Sequence, residues 1–111
     1  MGVYDTATKL ASEIKNSKEY KDFRKSMKEV KRDKSCEELL KTYRSAQVEL
    51  QNCLIQRKEI DNKTKKRIED IQKKVSNNKK LSNYLNNEQK FTQLMNNINN
   101  IIGKTVEKDY E

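Results

Sequence analysis

The stretch NNEQKFTQLMNNINNII, residues 86–102, decides the fold class of this chain. Its apolar side chains recur at alternating steps of four and three residues, at Phe91, Met95, Ile98 and Ile102. This spacing places them on one face of a helix, along a line that we call the seam. Continued towards lower residue numbers, the same spacing reaches the carboxylate of Glu88. The stretch therefore predicts a packed helix with a charge where an apolar residue is expected.

The whole chain favours helices but offers little material for a hydrophobic core. It has 111 residues, 38% charged and 32% hydrophobic, with a mean hydropathy of −1.18. It contains no proline and only two glycines, so almost nothing in the sequence interrupts a helix. We expect one all-α domain, residues 1–111, that borrows burial from another copy of itself, because a thin amphipathic helix is stable only when its stripe is covered.

Turn signals divide the sequence into five predicted helices. They span residues 3–15, 18–31, 36–57, 62–75 and 80–106. Ser17 and Asp61 are the expected N-caps of the second and fourth helices. Ser35 and Glu38 have the spacing of a capping box, so the third helix is expected to begin after Ser35.

The apolar positions of the predicted helices define the faces that we expect to point inward. They are Val3, Ala7, Leu10, Ala11 and Ile14 in the first helix, Tyr20, Phe23, Met27 and Val30 in the second, and Leu39, Leu40, Tyr43, Ala46, Leu50, Cys53 and Leu54 in the third. The fourth helix is expected to be weak, because it has only three such positions, at Ile68, Ile71 and Val75.

The third and fifth helices have the strongest seams. We expect them to be the long arms of an antiparallel, coiled-coil-like hairpin or bundle, with the shorter helices flanking them. The predicted helix seam and oligomer interface consists of Leu39, Tyr43, Leu50, Leu81, Tyr84, Glu88, Phe91, Met95, Ile98 and Ile102. A dimer or larger homo-oligomer follows from these long seams on a chain with few apolar residues.

The positive charge is concentrated in two segments. The net charge is +8 at pH 7, and residues 21–34 and 57–80 are both strongly basic. Clustered Lys and Arg are able to contact the phosphates of a nucleic acid. Interleaved acids, and the lack of an aromatic residue in 57–80, favour plain solvated helix faces instead. The candidate basic contact face consists of Arg24, Lys28, Lys31, Lys65, Lys66, Arg67, Lys73 and Lys74.

The residue types needed for catalysis or metal binding are scarce. The chain has no histidine, no glycine-rich phosphate loop and two cysteines, Cys36 and Cys53. We therefore expect no enzyme, no cofactor and no metal site within one chain, and whether these cysteines hold a cluster between chains stays open. No signal segment or membrane-spanning run is visible, so we expect a cytoplasmic protein.

Three segments carry a family resemblance: VYDTATKLASEIKNSKEYKDFRKSMKEVKRD, YRSAQVELQ and YLNNEQKFTQLMNNINNII. In this order they resemble the YlbF/YheA/YmcA family of small bacterial helical proteins, over nearly the whole chain. The segment IIGKTVEKDY is more similar to the YheA branch than to the others.

The resemblance implies a helical hairpin that assembles into oligomers. For YlbF and YmcA it implies control of competence, sporulation and biofilm formation, and action with the endoribonuclease RNase Y on mRNA processing. Members of that complex bind iron–sulfur clusters through cysteines that include a cysteine-bearing tail. Cys36 and Cys53 do not match such a motif, so the resemblance does not imply a cluster within this chain.

Two functions follow from these observations. The first is a non-enzymatic regulator or scaffold that acts through helical protein–protein contacts, possible partners being a second copy or a protein of RNA processing. The alternative is a nucleic-acid-associated protein that uses its basic helix faces directly.

The charge in the seam has a testable role. One interpretation places Glu88 at the edge of the seam, where it reaches solvent or a Lys or Arg of a facing helix. The other makes it a buried polar residue that fixes the register between helices, with Arg44 of the third helix as its candidate partner. If Glu88 fixes the register, Glu88→Leu stays folded but changes its oligomeric state or becomes heterogeneous, as measured by light scattering after size exclusion. An unchanged oligomer would count against a register role.

Overall fold

The computed structural model describes residues 2–110, and all regular structure in that range is helical. The five helices are α1 (Val3–Lys15), α2 (Lys18–Arg32), α3 (Lys34–Ile55), α4 (Asn62–Asn77) and α5 (Lys79–Glu107), followed by a short 3₁₀ turn at Lys108–Tyr110. The all-α prediction is confirmed, and each predicted helix boundary is within two residues of the observed one. The two long helices are α3 and α5, as expected.

The described residues form two compact units that interleave in the sequence. One, which we call the central unit, comprises residues 27–84 and contains α3 and α4. The other, which we call the terminal unit, comprises residues 2–26 and 85–110 and contains α1 and most of α5. Both α2 and α5 contribute residues to each unit. The expectation that the chain is one domain stays a prediction.

Two of the predicted N-caps are present. The Ser17 hydroxyl oxygen accepts a hydrogen bond from the backbone N–H of Tyr20, at 3.2 Å. The carboxylate of Asp61 accepts one from the backbone N–H of Thr64, at 2.7 Å. Both side chains satisfy a backbone donor that has no partner inside its own helix, which is why α2 and α4 begin where the sequence predicted.

The predicted N-cap of α3, Ser35, is wrong, because Asp33 is the N-cap. The Asp33 carboxylate accepts hydrogen bonds from the backbone N–H groups of Ser35 and Cys36, at 3.1 and 3.3 Å. The Ser35 hydroxyl also donates to this carboxylate, at 2.7 Å. An anionic acceptor two residues earlier satisfies these donors and suits the positive end of the helix dipole, so Ser35 lies within the first turn.

The end of α3 is two residues earlier than predicted. Arg57 has a left-handed backbone with φ of 53°. Its N–H donates to the carbonyl of Leu54, and the N–H of Lys58 donates to that of Cys53, at 3.3 and 3.0 Å. These two bonds form a Schellman motif, in which glycine is the usual left-handed residue. Arginine gives no such signal in a sequence, which is why the stop was missed.

The core lies in the central unit. Within residues 2–110 the buried hydrophobic side chains are Val30, Cys36, Ala46, Ile68, Ile71, Val75, Leu81 and Tyr84, and all belong to this unit. Helix α4 packs against α3 and supplies three of them, so its few apolar residues are enough. Packing against a neighbour, more than local propensity, stabilises a helix of this kind.

The terminal unit has no buried hydrophobic side chain among its described residues. Three half-buried aromatic rings pack against one another in this unit. The rings of Phe23 and Phe91 stack with centroids 5.4 Å apart, and Tyr20 lies tilted against Phe91 at 5.6 Å. Such pairs contribute about 0.5–1.5 kcal/mol beyond the area they bury. The remaining apolar side chains of this unit are half-buried or exposed.

Several positions predicted to point inward are exposed. Val3 of α1 is 83% exposed, and Ala7 and Ala11 are exposed as well, so only Leu10 and Ile14 of that face are half-buried. Every residue from 3 to 9 is exposed, so no element of the described chain covers the first two turns of α1.

Leu54 is also exposed, at 69%. It lies in the last turn of α3, and the left-handed Arg57 ends the helix before α4 begins at Asn62. No neighbouring helix of the described chain covers this turn.

The core position of Leu81 gives a stability test. Leu81 is 0% exposed, so Leu81→Ala is expected to lower the free energy of unfolding by about 2–5 kcal/mol. Leu54→Ala is the control: because Leu54 is exposed, this variant should change the free energy of unfolding by less than about 0.5 kcal/mol. Urea unfolding measures both, and equal losses would contradict this account of the core.

Candidate interaction surfaces

An apolar stripe runs along α5 in the terminal unit. It consists of Phe91, Leu94, Met95, Ile98, Ile101, Ile102 and Val106, and we call it the α5 stripe. Its first four members are half-buried. Ile101, Ile102 and Val106 are 69%, 53% and 51% exposed, respectively. The α5 stripe is therefore apolar throughout, and its later part has no cover within the described chain.

The other predicted seam residues divide between the two units. Leu39, Tyr43 and Leu50 of α3 are half-buried, and Leu81 and Tyr84 belong to the core of the central unit. Their role as an oligomer interface stays a prediction.

The two residues of the predicted register pair, Arg44 and Glu88, belong to different units. Arg44 is an exposed residue of the central unit, and Glu88 is a half-buried residue of the terminal unit. Their pairing stays a prediction.

A groove of about 540 Å³ opens in the central unit. Its lining residues come from α2, α3 and the start of α5: Met27, Val30, Lys31, Glu37, Leu40, Lys41, Arg44, Ser45 and Tyr84. Val30 and Tyr84 are buried, whereas Lys31, Lys41 and Arg44 are exposed. The groove therefore combines an apolar floor with a basic rim. The sequence placed several of these residues on inward helix faces, in the seam or on the basic contact face, but it did not predict that they line one groove.

A hydrogen-bonded cluster is formed by Asp33, Cys36, Asn78 and Lys80, which are close in sequence to residues that line this groove. We call it the cap junction. The Cys36 thiol and the Asn78 side-chain amide are within 3.3–3.4 Å of each other. The side-chain oxygen Oδ1 of Asn78 also accepts a hydrogen bond from the backbone N–H of Leu81, at 3.0 Å, and so caps α5. Lys80 Nζ lies 3.3 Å from the Asp33 carboxylate. The starts of α3 and α5 are therefore tied together.

The buried position of Cys36 bears on the open question about the cysteines. Its side chain is 2% exposed, and Cys53 is half-buried. Among residues 2–110, no three side chains of histidine, cysteine, aspartate or glutamate come together in a way that suits a metal ion. A cluster held between chains by these cysteines is a separate question, which iron and sulfide analysis of the assembled protein answers.

Two capping aspartates are held in their charged form. Hydrogen bonds from the Ser35 side chain, the Cys36 backbone and Lys80 hold the pKa of Asp33 far below its ordinary value. The Thr64 side chain and backbone likewise lower the pKa of Asp61. A folded-state pKa below the unfolded value of about 3.9 adds stability that is fully present above about pH 5. That stability is lost as the pH falls through the folded-state pKa.

The predicted basic contact face is solvent-accessible at every one of its eight positions. Most of it lies in the central unit, which has sixteen Lys and Arg against nine Asp and Glu, or +7 of the chain's +8. Arg67 forms an ion pair with Glu49 of α3, so one of the eight cations is already engaged within the chain. Of the helices that the structure describes, none is long and apolar enough to cross a membrane.

The lowered pKa of Asp33 predicts an acid-sensitive helix cap. Asp33→Asn keeps a capping side chain but does not titrate, so its melting temperature should fall less steeply than that of the wild type between about pH 5 and about pH 2. Asp70→Asn on α4 removes the same charge and serves as the control. Circular dichroism melts across this range make the comparison, and parallel slopes for wild type and Asp33→Asn would contradict it.

Relatives of the chain match it over almost its full length. It is 31% identical over 110 residues to a UPF0342 protein of Clostridium novyi, covering 99% of this chain and 96% of the other. It is 30% identical over 107 residues to a UPF0342 protein of Symbiobacterium thermophilum, covering 96% of each.

Two solved structures share the fold. One is a protein of unknown function (DUF964) from Bacillus stearothermophilus, with a TM-score of 0.77, 17% identity, and coverage of 98% of this chain and 96% of the other. The other is Bacillus subtilis RicA in complex with RicF, with a TM-score of 0.68, 13% identity and the same coverage.

A family model described as "Control of competence regulator ComK, YlbF/YmcA" matches residues 3–107. That match spans all five helices, and the relatives at 30% identity or above cover the same range. The YheA branch, suggested by residues 101–110, stays a prediction within the family. The chain belongs to the YlbF/YmcA family of competence-control proteins.

Proposed function

We propose that this protein is a non-enzymatic cytoplasmic regulator or scaffold that acts through helical protein–protein contacts. It does so as a homo-oligomer or with a protein partner. The observation that carries the proposal is the uneven core: the described terminal unit has no buried hydrophobic residue but presents the long α5 stripe. A contiguous apolar surface of this kind on a soluble protein marks a contact site.

The geometry of the α5 stripe supports a helical partner. Its members recur at helical spacing, so they lie on one face of α5, and another helix is able to pack along that face. The exposed part, Ile101 to Val106, adds more than one helical turn to the half-buried part. Burying apolar area contributes about 25 cal/mol per Å², so the open side chains favour association.

The family supports the regulatory part of the proposal. The matching family model is described by its control of the competence regulator ComK, and RicA, which shares the fold, was crystallised in complex with RicF. We further propose that this protein takes part in the control of competence, sporulation or biofilm formation, through mRNA processing that depends on RNase Y; the resemblance to YlbF and YmcA supports this proposal. The shortage of catalytic residue types agrees with a role that is not enzymatic.

Direct nucleic-acid binding is the second candidate function. It is favoured by the net charge of +7 on the central unit and by the exposure of all eight predicted contact cations. If phosphates are the ligand, the affinity for RNA falls steeply as salt rises. An affinity that is absent or insensitive to salt would leave protein contacts as the sole proposal.

The α5 stripe makes a prediction about assembly. Light scattering after size exclusion should give the wild type at least twice the chain mass of 13.2 kDa. The double variant Ile101→Glu/Ile102→Glu places two charges on the open part of the stripe and should lower that mass, because burying unpaired carboxylates is costly. Asn99→Glu/Asn100→Glu adds the same charges to exposed polar positions of α5 and should keep it.

A wild-type protein that is monomeric at micromolar concentration would contradict the homo-oligomer. A stripe variant that assembles as well as its control would show that the α5 stripe is not the contact.

The cellular role needs a separate experiment. In the native bacterium, deletion of the gene should change transformation frequency, sporulation or biofilm formation, and should shift the 5′ ends of transcripts cleaved by RNase Y. Wild type and Asn99→Glu/Asn100→Glu should restore these traits, whereas Ile101→Glu/Ile102→Glu should not. Unchanged traits after deletion would contradict the regulatory role, and full rescue by the stripe variant would contradict its mechanism.

A further inference from the structure

The groove of the central unit has an apolar floor that is already formed in the folded chain. Met27 and Val30 come from α2, Leu40 from α3 and Tyr84 from α5. Val30 and Tyr84 are 2% and 7% exposed, so the core holds them in place, and Met27 and Leu40 are half-buried. A volume of about 540 Å³ is of the size that proteins use to bind ligands or partner side chains.

The rim of the groove is predominantly positive. Lys31 of α2 and Lys41 and Arg44 of α3 line it, against a single carboxylate from Glu37 in the described lining. The lining therefore has a net charge of +2. An occupant with apolar side chains and carboxylates complements both the floor and the rim, whereas a basic occupant meets like charges.

The three helices around the groove are fixed to one another at the cap junction. Asp33 follows α2, caps α3, and lies 3.3 Å from Lys80 of α5. Cys36 of α3 is hydrogen-bonded to Asn78, which caps α5. A groove with walls tied in this way loses little conformational freedom when it is filled, which favours binding.

The positions of the cations on the rim favour a helix over a small amphiphile, such as a fatty acid, as the occupant of the groove. The lining on α3 extends from Glu37 to Ser45, about 12 Å or two helical turns. Cations come from two different helices, Lys31 from α2 and Lys41 from α3. A fatty acid has one anionic group at its end, whereas an amphipathic helix carries carboxylates on both sides of its apolar stripe.

We propose that this groove binds an amphipathic helix of a partner protein, with carboxylates flanking its apolar stripe. This proposal rests on the proposed function, a regulator that acts through helical contacts, and it specifies the chemistry of the partner. Apolar residues of the partner helix, one or two turns apart, fill the floor. Its carboxylates face Lys31 and Lys41, and the part beside Glu37 carries none.

The probe is a fluorescein-labelled synthetic helix of about 15 residues, with leucines at i, i+3, i+4 and i+7 and glutamates beside them. Fluorescence anisotropy measures its binding to the purified full chain. The wild type should bind it, and a matched helix with lysines in place of glutamates should bind at least about tenfold more weakly. Added salt should weaken the binding of the glutamate helix.

Charge reversal on the rim locates the site. Lys31→Glu/Lys41→Glu should weaken binding of the glutamate helix by about tenfold and improve binding of the lysine helix. Lys58→Glu/Lys63→Glu reverses two exposed lysines that lie outside both the groove lining and the candidate basic contact face, and it should leave both affinities close to wild type. Circular dichroism melts confirm that all variants are folded.

Three results would overturn the proposal: no binding of the glutamate helix, equal binding of both helices, or equal effects of the two double variants. Displacement of the helix by dodecanoate at comparable affinity would also overturn it, in favour of a small amphiphile. The assay uses a purified chain and a synthetic probe, so its failure is distinct from failure of the cellular role, which gene deletion tests.

Discussion

A shortage of apolar side chains is the constraint on which this structure depends. With 32% hydrophobic residues, the chain cannot bury a stripe on every one of its five helices. The central unit takes the buried positions, where α4 packs against α3 and Leu81 is fully enclosed. The described terminal unit has stacked aromatic rings and half-buried stripes instead. A helix with an uncovered apolar stripe is stabilised when another chain covers that stripe. A small core within one chain therefore favours assembly with a second chain.

This division gives the two units different tasks in the proposed regulator. The central unit has its own core, a net charge of +7 and a groove with walls joined by the cap junction, so it offers a preformed, basic surface. The terminal unit offers the α5 stripe, which is apolar. One surface suits an acidic helix of another protein, and the other suits a helix that covers apolar residues. A scaffold needs two such surfaces of different chemistry to bind two partners selectively.

Local signals predicted much of the fold and the periodicity of the seam, because they act within a few residues. The α5 stripe and the caps at Ser17 and Asp61 are of this kind. Long-range packing gives no such signal. Cys36 and Asn78 are 42 residues apart, α4 depends on α3 for its burial, and which apolar faces stay open depends on what lies over them. The groove was missed for the same reason, since three helices build it.

Hydrogen–deuterium exchange at two protein concentrations tests the central claim most directly. If the terminal unit depends on another chain, amides of residues 85–107 exchange quickly in dilute protein and slowly at concentrations where the oligomer forms. Amides of α3 and α4 should be protected equally at both, because their core lies within the chain. Protection of residues 85–107 that does not change with concentration would contradict the account.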